Sequence, residues 1–313
     1  MTEARGGEPR ERDWPRALAL FALAFSLPVV RPSVLIGVPL IVLLLAMPTL
    51  RLPALALALL AAALAFGGGP GDGLWYAERG WAVLLGGWFA ALSLRWPGTR
   101  VFPRAAASVI GAMAIVAAVL RVRPGAWVIL DWLVEDRIRT GVGAGVEALR
   151  DAASERGGLS PALLQTVQRA MDFQVEVFPA LVALSSLASL GVVWWLHGRL
   201  SETPAPSLGP VSEFSFNDHL VWVFIAGIAL LLLGWGDAWG RAGSNTVVFM
   251  GALYTLRGAA VVLFATGGVS LFGVTVLLFS MVFSAPVVLA LALFIGLGDT
   301  WVDIRGRFRR QPA

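Results

Sequence analysis

The chain has no cysteine and no lysine: all 24 of its basic residues are arginine. Without cysteine there can be no disulfide, no thiolate metal site and no cysteine nucleophile. The arginine-only usage fits a GC-rich coding background. Histidine is nearly absent too. The two that occur, His197 and His219, stand near the edges of apolar runs, and no HExxH or G-x-S-x-G string accompanies them. Neither a metal, a cofactor nor a hydrolase nucleophile is therefore expected. Charge is also scarce. Charged residues make up 14% of the chain against 58% hydrophobic, with a net charge of +4, a balance outside that of soluble domains. The arginines lie between apolar runs rather than in a block interleaved with aromatics, so no nucleic-acid surface is expected.

What the chain does have is a succession of apolar runs. They cover Ala17 to Val30, Ser33 to Leu50, Ala54 to Gly69, Trp81 to Leu94, Ala105 to Leu120, Val177 to Leu196, Leu220 to Trp235, Ser244 to Thr266, Val269 to Ser284 and Ala285 to Gly298. Crossing a bilayer takes about 20 apolar residues, and several runs are shorter, so the expectation is eight to ten spans. Many of the thirteen tryptophans flank the runs, as interfacial anchors do. Arg31-Pro32 and Arg51 with Pro53 punctuate the first runs. Gly67 to Gly71 closes the third, with an exposed loop expected from Asp72 to Gly80. Ala17 to Val30 also resembles the apolar region of a signal peptide. Leu27-Pro28-Val29-Val30-Arg31 is not a small-residue cleavage site, so an uncleaved first span is expected.

Between the fifth and sixth runs the pattern changes. Val134, Ile138, Val142, Val146, Leu149 and Ala153 recur at helical steps, while Asp131, Glu135, Asp136, Arg139, Glu147, Arg150, Asp151 and Glu155 fill the other faces. This spacing predicts an amphipathic helix, interrupted or kinked near Gly141, Gly143 and Gly145, lying in the membrane interface or over a cavity mouth. Ser160-Pro161 is a helix start, and Pro179 predicts a kink. Ser201 to Pro210 is the stretch most like a boundary between halves. The resulting organisation is a disordered cytoplasmic tail (1–16), one transmembrane domain (17–304) and a basic tail (305–313). Within that domain, 17–124 and 177–304 are helical halves and 125–176 holds the amphipathic helices. The fold class is an all-α polytopic bundle of a bacterial inner membrane, with both termini cytoplasmic. Apart from lipid, partner proteins are expected at small-residue faces such as Ala54, Ala58 and Ala62, which recur every four residues and allow close helix packing.

The run Ser244 to Thr266 carries one charge near its middle, Arg257. At that depth a charge costs roughly 2.5–3.5 kcal/mol on insertion scales, so it needs a partner or a route out. Arg257 lies 13 residues beyond Ser244, and Asp299 lies 14 beyond Ala285. If both helices run the same way, the two reach similar depth. Pairing of Arg257 with Asp299 competes with snorkelling of the arginine to the interface. Asn245 and Tyr254 are further candidates for an intramembrane polar or ligand site. Asp299, Asp303 and Arg307 read as an i, i+4, i+8 ladder at a cytoplasmic helix end, with Arg305, Arg309 and Arg310 beside it. Two GxGD strings, ending in Asp237 and Asp299, admit an intramembrane aspartyl hydrolase only if those carboxylates face each other.

Three strings carry a family resemblance. Phe214-Ser215-Phe216-Asn217-Asp218-His219-Leu220-Val221-Trp222 leads into a span. Asn245 is followed by Leu253-Tyr254-Thr255-Leu256-Arg257-Gly258-Ala259-Ala260-Val261-Val262. Ile295-Gly296-Leu297-Gly298-Asp299-Thr300-Trp301-Val302-Asp303-Ile304-Arg305 is the third. With the amphipathic stretch leading to Phe178-Pro179, they make most of the chain resemble the YybS-like family of uncharacterised bacterial multi-pass membrane proteins (domain of unknown function 2232). That resemblance leads one to expect a neutral polar residue, typically glutamine, where Arg257 stands, so the chain departs there. The family is distantly similar to the substrate-binding subunits of energy-coupling-factor transporters. The function this implies is a transport-associated, solute-binding membrane subunit without catalytic chemistry. The alternative is a structural or regulatory scaffold engaging partner proteins.

Overall fold

Apolar residues in runs this long leave the backbone no water to bond with, and the α-helix answers by satisfying each N–H within its own segment. The structure, a computed structural model, describes residues 14–26, 30–47, 52–67, 73–153, 160–201, 208–267 and 271–310. Among these there are twelve α-helices and no strand. They are α1 (Trp14–Ser26), α2 (Pro32–Ala46), α3 (Leu52–Phe66), α4 (Gly73–Arg95), α5 (Val101–Val122), α6 (Ala126–Ala153), α7 (Pro161–Glu176), α8 (Phe178–Leu200), α9 (Val221–Leu233), α10 (Asp237–Ala265), α11 (Leu271–Val302) and α12 (Ile304–Arg310). Four helical segments are long and apolar enough to cross a membrane: Val101–Val122, Phe178–Leu200, Asp237–Ala265 and Phe283–Val302. Pro32–Ala46, Leu52–Phe66 and Asp218–Leu233 are shorter apolar segments. The all-α membrane bundle stands. Against the expected eight to ten crossings, the described residues offer these four full-length and three short segments.

The chain divides into two compact units, residues 20–206 and residues 207–313 with 1–19. The division falls within the connector Ser201 to Pro210, not at the ends of the amphipathic stretch, because α8 packs on α2 and α5. In the first unit α6 is a single helix of 28 residues. Gly141, Gly143 and Gly145 do not interrupt it: nothing lies within 4 Å of where their Cβ atoms would be. Each glycine costs about 1 kcal/mol of helix propensity without breaking the hydrogen-bond ladder. The apolar stripe of α6 buries Val134 and Ile138 against Leu74 of α4 and Phe178 of α8. Ser160 caps α7, accepting from the Leu163 amide at 3.2 Å. Pro179 does not kink a helix but opens one: α7 ends at Glu176, and α8 starts after Val177 with proline in its first turn. The expected loop at Asp72 to Gly80 is helical from Gly73 onward. The face that α3 uses also differs. Ala54, Ala61 and Ala65 are buried, and Ala61 and Ala65 line Gly37 of α2. Ala58 and Ala62 are only partly buried, because 3.6 residues per turn carries an i+4 row around the helix.

In the second unit α10 packs chiefly on α11 and α9. The stretch between the runs ending at Trp235 and starting at Ser244 is not a loop: Asp237 to Gly243 forms the first two turns of α10. The actual turn is Gly234-Trp235-Gly236, whose glycines take φ of +59° and +108°, values that favour residues without a Cβ. The Gly234-Trp235-Gly236-Asp237 string is thus a helix–turn–helix junction. α11 is broken at Ser284 (φ −142°, ψ 32°), just ahead of Pro286, so the runs that meet there are separate helical segments. α11 ends where Asp303 takes φ +46°, a left-handed conformation that aspartate tolerates. The basic tail continues as α12 as far as Arg310, and the expected disordered tail lies, up to residue 13, outside the described residues.

The closest approach of α10 and α11 is made by two glycines. A Cβ on Gly258 would collide with the carbonyl of Ala292, and one on Gly296 with the carbonyl of Tyr254. Small residues permit such backbone contact in lipid, where no hydrophobic force draws helices together. Gly258→Ala is expected to destabilise the protein in detergent by about 1–3 kcal/mol through overpacking. Gly240→Ala, where nothing lies within 4 Å, should be neutral or slightly stabilising; thermal unfolding of the two variants checks the contrast.

Candidate functional site

Arg257 sits two-thirds of the way along α10, one position before the glycine that meets α11. It is 4% exposed. Its Nε donates to Asp299 Oδ2 at 2.9 Å. Its Nη1 donates to Asp218 Oδ1 at 2.6 Å, with Asp218 on a 3-10 turn, Asp218–Leu220, just before α9. Arg305 Nη2 donates to the same Asp299 Oδ2 at 2.8 Å, while its Nη1 donates to the Phe214 carbonyl at 2.9 Å. Two arginines and two aspartates thus form a formally neutral cluster joining α10, α11, α12 and the segment leading into α9. Breaking α11 at Asp303 makes this possible, since it turns Arg305 back toward Asp299. The expected ladder of Asp299, Asp303 and Arg307 is accordingly replaced. The Asp303 carboxylate accepts from the Gly306 amide at 3.2 Å.

Tyr254, one turn before Arg257, is wholly buried. Its ring meets Phe216 edge-on at 5.0 Å and Phe224 at 5.8 Å, and the Arg257 guanidinium lies 5.5 Å from the Phe216 ring centre. The Tyr254 hydroxyl is close enough to Thr300 to interact yet makes no hydrogen bond of good geometry, and Asp299 Oδ1 is likewise buried without a partner. Of the four candidates read from sequence, Arg257, Asp299 and Tyr254 are brought together. Asn245 is not: it donates to the Arg241 carbonyl on its own helix at 2.8 Å and lies three turns before Arg257. Asp237 opens α10, 20 residues before Arg257, or roughly 30 Å along the axis. With Asp299 bound to Arg257, the two GxGD aspartates do not face each other. No group of three or more His, Cys, Asp or Glu that could hold a metal occurs among the described residues.

Asp218, Phe216 and Arg305 were missed as site residues, although all three lie in the strings that carry the family resemblance. The first unit holds two further buried arginines. Arg79 was assigned to a loop, but it is 5% exposed on α4. It donates to the carbonyls of Trp75 and Ala65, stacks on the Trp75 ring at 3.8 Å and lies 3.8 Å from Glu78. Arg104, which stands between the fourth and fifth apolar runs, is in the first turn of α5 and 3% exposed. Its guanidinium lies over Trp194 at 4.3 Å, and none of its three nitrogens has a hydrogen-bond partner. A cation–π contact returns at most about 2 kcal/mol when desolvated, less than the several kcal/mol that burying an unpaired charge costs.

The Arg257 cluster predicts unequal effects for its two carboxylates. Asp299→Asn strips two arginines of their shared buried acceptor and should cost about 3–5 kcal/mol. Asp218→Asn should cost only about 1 kcal/mol, because that side chain is 60% exposed. Unfolding of the purified variants in detergent measures both, and equal costs would contradict the burial difference.

No curated protein and no solved structure matches the chain. Residues 17–300 match a family described as predicted membrane protein (DUF2232), to which the YybS-like proteins belong. With nearly the whole length matched, the chain belongs to this DUF2232 family of predicted membrane proteins.

Proposed function

We propose that the chain is a transport-associated, solute-binding subunit of the bacterial inner membrane, and that Arg257 is its binding centre. The observation that supports this reading is the inequality of the two carboxylates on Arg257. Asp299 is buried and shared with Arg305, whereas the Asp218 side chain is 60% exposed. A guanidinium offers a planar fork of N–H donors that suits carboxylate and phosphate alike. Asp218 therefore occupies Nη1 as a solute anion would, and an incoming anion replaces it while Asp299 keeps the arginine in place. Tyr254 Oη, which makes no hydrogen bond of good geometry, and the buried Asp299 Oδ1 remain for the rest of the solute. The hydroxyl can donate or accept, and the carboxylate oxygen accepts only. The solute class is a small organic anion that also carries a hydrogen-bond donor. In this reading the chain binds and releases, and breaks no covalent bond.

One observation favours a scaffold instead. The backbones of α10 and α11 touch at Gly258 and Gly296, which is the packing of a dry, filled bundle. A thermal-shift screen of the full chain in mild detergent separates the readings. An anionic solute should raise the unfolding midpoint while its neutral analogue does not. Asp218→Asn should bind it severalfold more tightly, because the internal competitor is gone. Weaker binding by Asp218→Asn, or equal shifts with neutral analogues, contradicts the solute-binding reading.

A further inference from the structure

The buried arginine of the first unit, Arg104, is left without any counter-charge. Its Nε and both terminal nitrogens are shielded and unpartnered, and among the described residues no carboxylate is paired with it. It stands in the first turn of α5, at the positive end of the helix dipole, where a cation is least welcome and an anion most. The N-terminus of α5 has no side-chain cap, and a helix N-terminus favours an anion.

Other unsatisfied groups gather at the same place. α4 ends at Arg95 and α5 begins at Val101, and the two helices pack together, so Ser93 and Arg104, both buried, lie at the same end of a helical hairpin. Ser93 is 3% exposed and its hydroxyl has no partner, not even on its own helix. One turn before it on α4, Phe89 meets Trp194 edge-on at 6.0 Å. His197, 4% exposed, stacks on Trp194 at 5.9 Å. It lies near the Met47 backbone, yet neither ring nitrogen makes a hydrogen bond of good geometry. A guanidinium and an imidazole thus flank one indole, with the Ser93 hydroxyl one turn along α4 from the Phe89 ring that meets the same indole, in a protein interior where buried polar groups are normally bonded.

We propose that Arg104, Ser93 and His197, gathered about Trp194 at one end of α4, α5 and α8, form a binding site for a phosphoryl anion. A tetrahedral anion with several acceptor oxygens matches this donor set better than a carboxylate does. Arginine binds phosphate through two parallel N–H bonds, and a serine hydroxyl and an imidazole N–H can take the remaining oxygens. Rotation of the Arg104 side chain off Trp194 exposes the fork, and the exposed Arg95 and Arg100 on either side of the hairpin turn make the approach basic. Arg104 lies only about 5 Å inside the helix end, the level at which a span meets lipid headgroups. The same phosphoryl chemistry can therefore come from an anionic phospholipid or from phosphate and its esters in solution.

The test uses the full chain purified in an uncharged detergent, with Arg104→Met as the comparison. Each protein is titrated with inorganic phosphate and, separately, with phosphatidylglycerol, using phosphatidylcholine as the control lipid. The wild-type midpoint should rise by several degrees with one of the two anions, while Arg104→Met stays flat. A response to phosphatidylglycerol alone assigns the site to a lipid headgroup, and a response to phosphate assigns it to a soluble anion. Identical responses of the two proteins, or none from either, overturn the proposal. Native mass spectrometry of the wild type keeps the test open if Arg104→Met fails to fold. One retained phosphate or phosphatidylglycerol per chain supports the site, and titration without a stoichiometric adduct overturns it.

Discussion

An arginine inside an apolar span must be neutralised where it stands, because lipid offers no counter-ion. Arg257 meets this requirement through Asp299, 2.9 Å away, and the arrangement of the second unit follows from that bond. For Asp299 to reach Arg257, α10 and α11 must come within backbone contact, which accounts for glycine at 258 and 296. One carboxylate oxygen serves two arginines, so α12 must fold back to deliver Arg305, which accounts for the left-handed Asp303. With two cations on it, Asp299 leaves Arg257 short of a full counter-charge, and Asp218 supplies the remainder from the segment before α9.

The first unit handles the same problem in two ways. Arg79 is compensated locally: two backbone carbonyls, an indole face and Glu78 surround it. Arg104 has the indole face without the oxygens. Buried arginines in one unit, built from similar helices, thus differ in whether the chain itself completes their coordination. That difference is what marks Arg104 as a place for something from outside.

How much of this was legible in the sequence varied with the kind of signal. Apolar runs, the Ser160 cap and the amphipathic stripe of α6 are local patterns, and they placed most helices correctly. The nearness of Arg257 to Asp299 followed from helical rise alone, although α10 starts seven residues earlier than the run suggested. Breaks were not legible. Periodicity continues through Asp303 as though the helix did, so Arg305 was read as a surface charge and Arg307 as the ladder partner. Charge misled in the other direction at Glu78, Arg79 and Arg104. Charged residues beside glycines or between apolar runs look like loops, and only tertiary packing shows that they are buried. Asp218 was visible in a family string, but nothing in its neighbourhood predicts a partner 39 residues away.

The central claim is that Arg257 is held by Asp299 inside the protein. A double-mutant cycle on unfolding in detergent, with Arg257→Met, Asp299→Leu and the pair together, addresses it directly. Arg257→Met leaves the buried Asp299 with Arg305 alone, and Asp299→Leu leaves the buried Arg257 with only the exposed Asp218, so each should cost up to about 3–5 kcal/mol, and the double variant should cost clearly less than their sum. Additive costs, or an Arg257→Met protein as stable as the wild type, would contradict the account, since a snorkelling arginine owes nothing to Asp299.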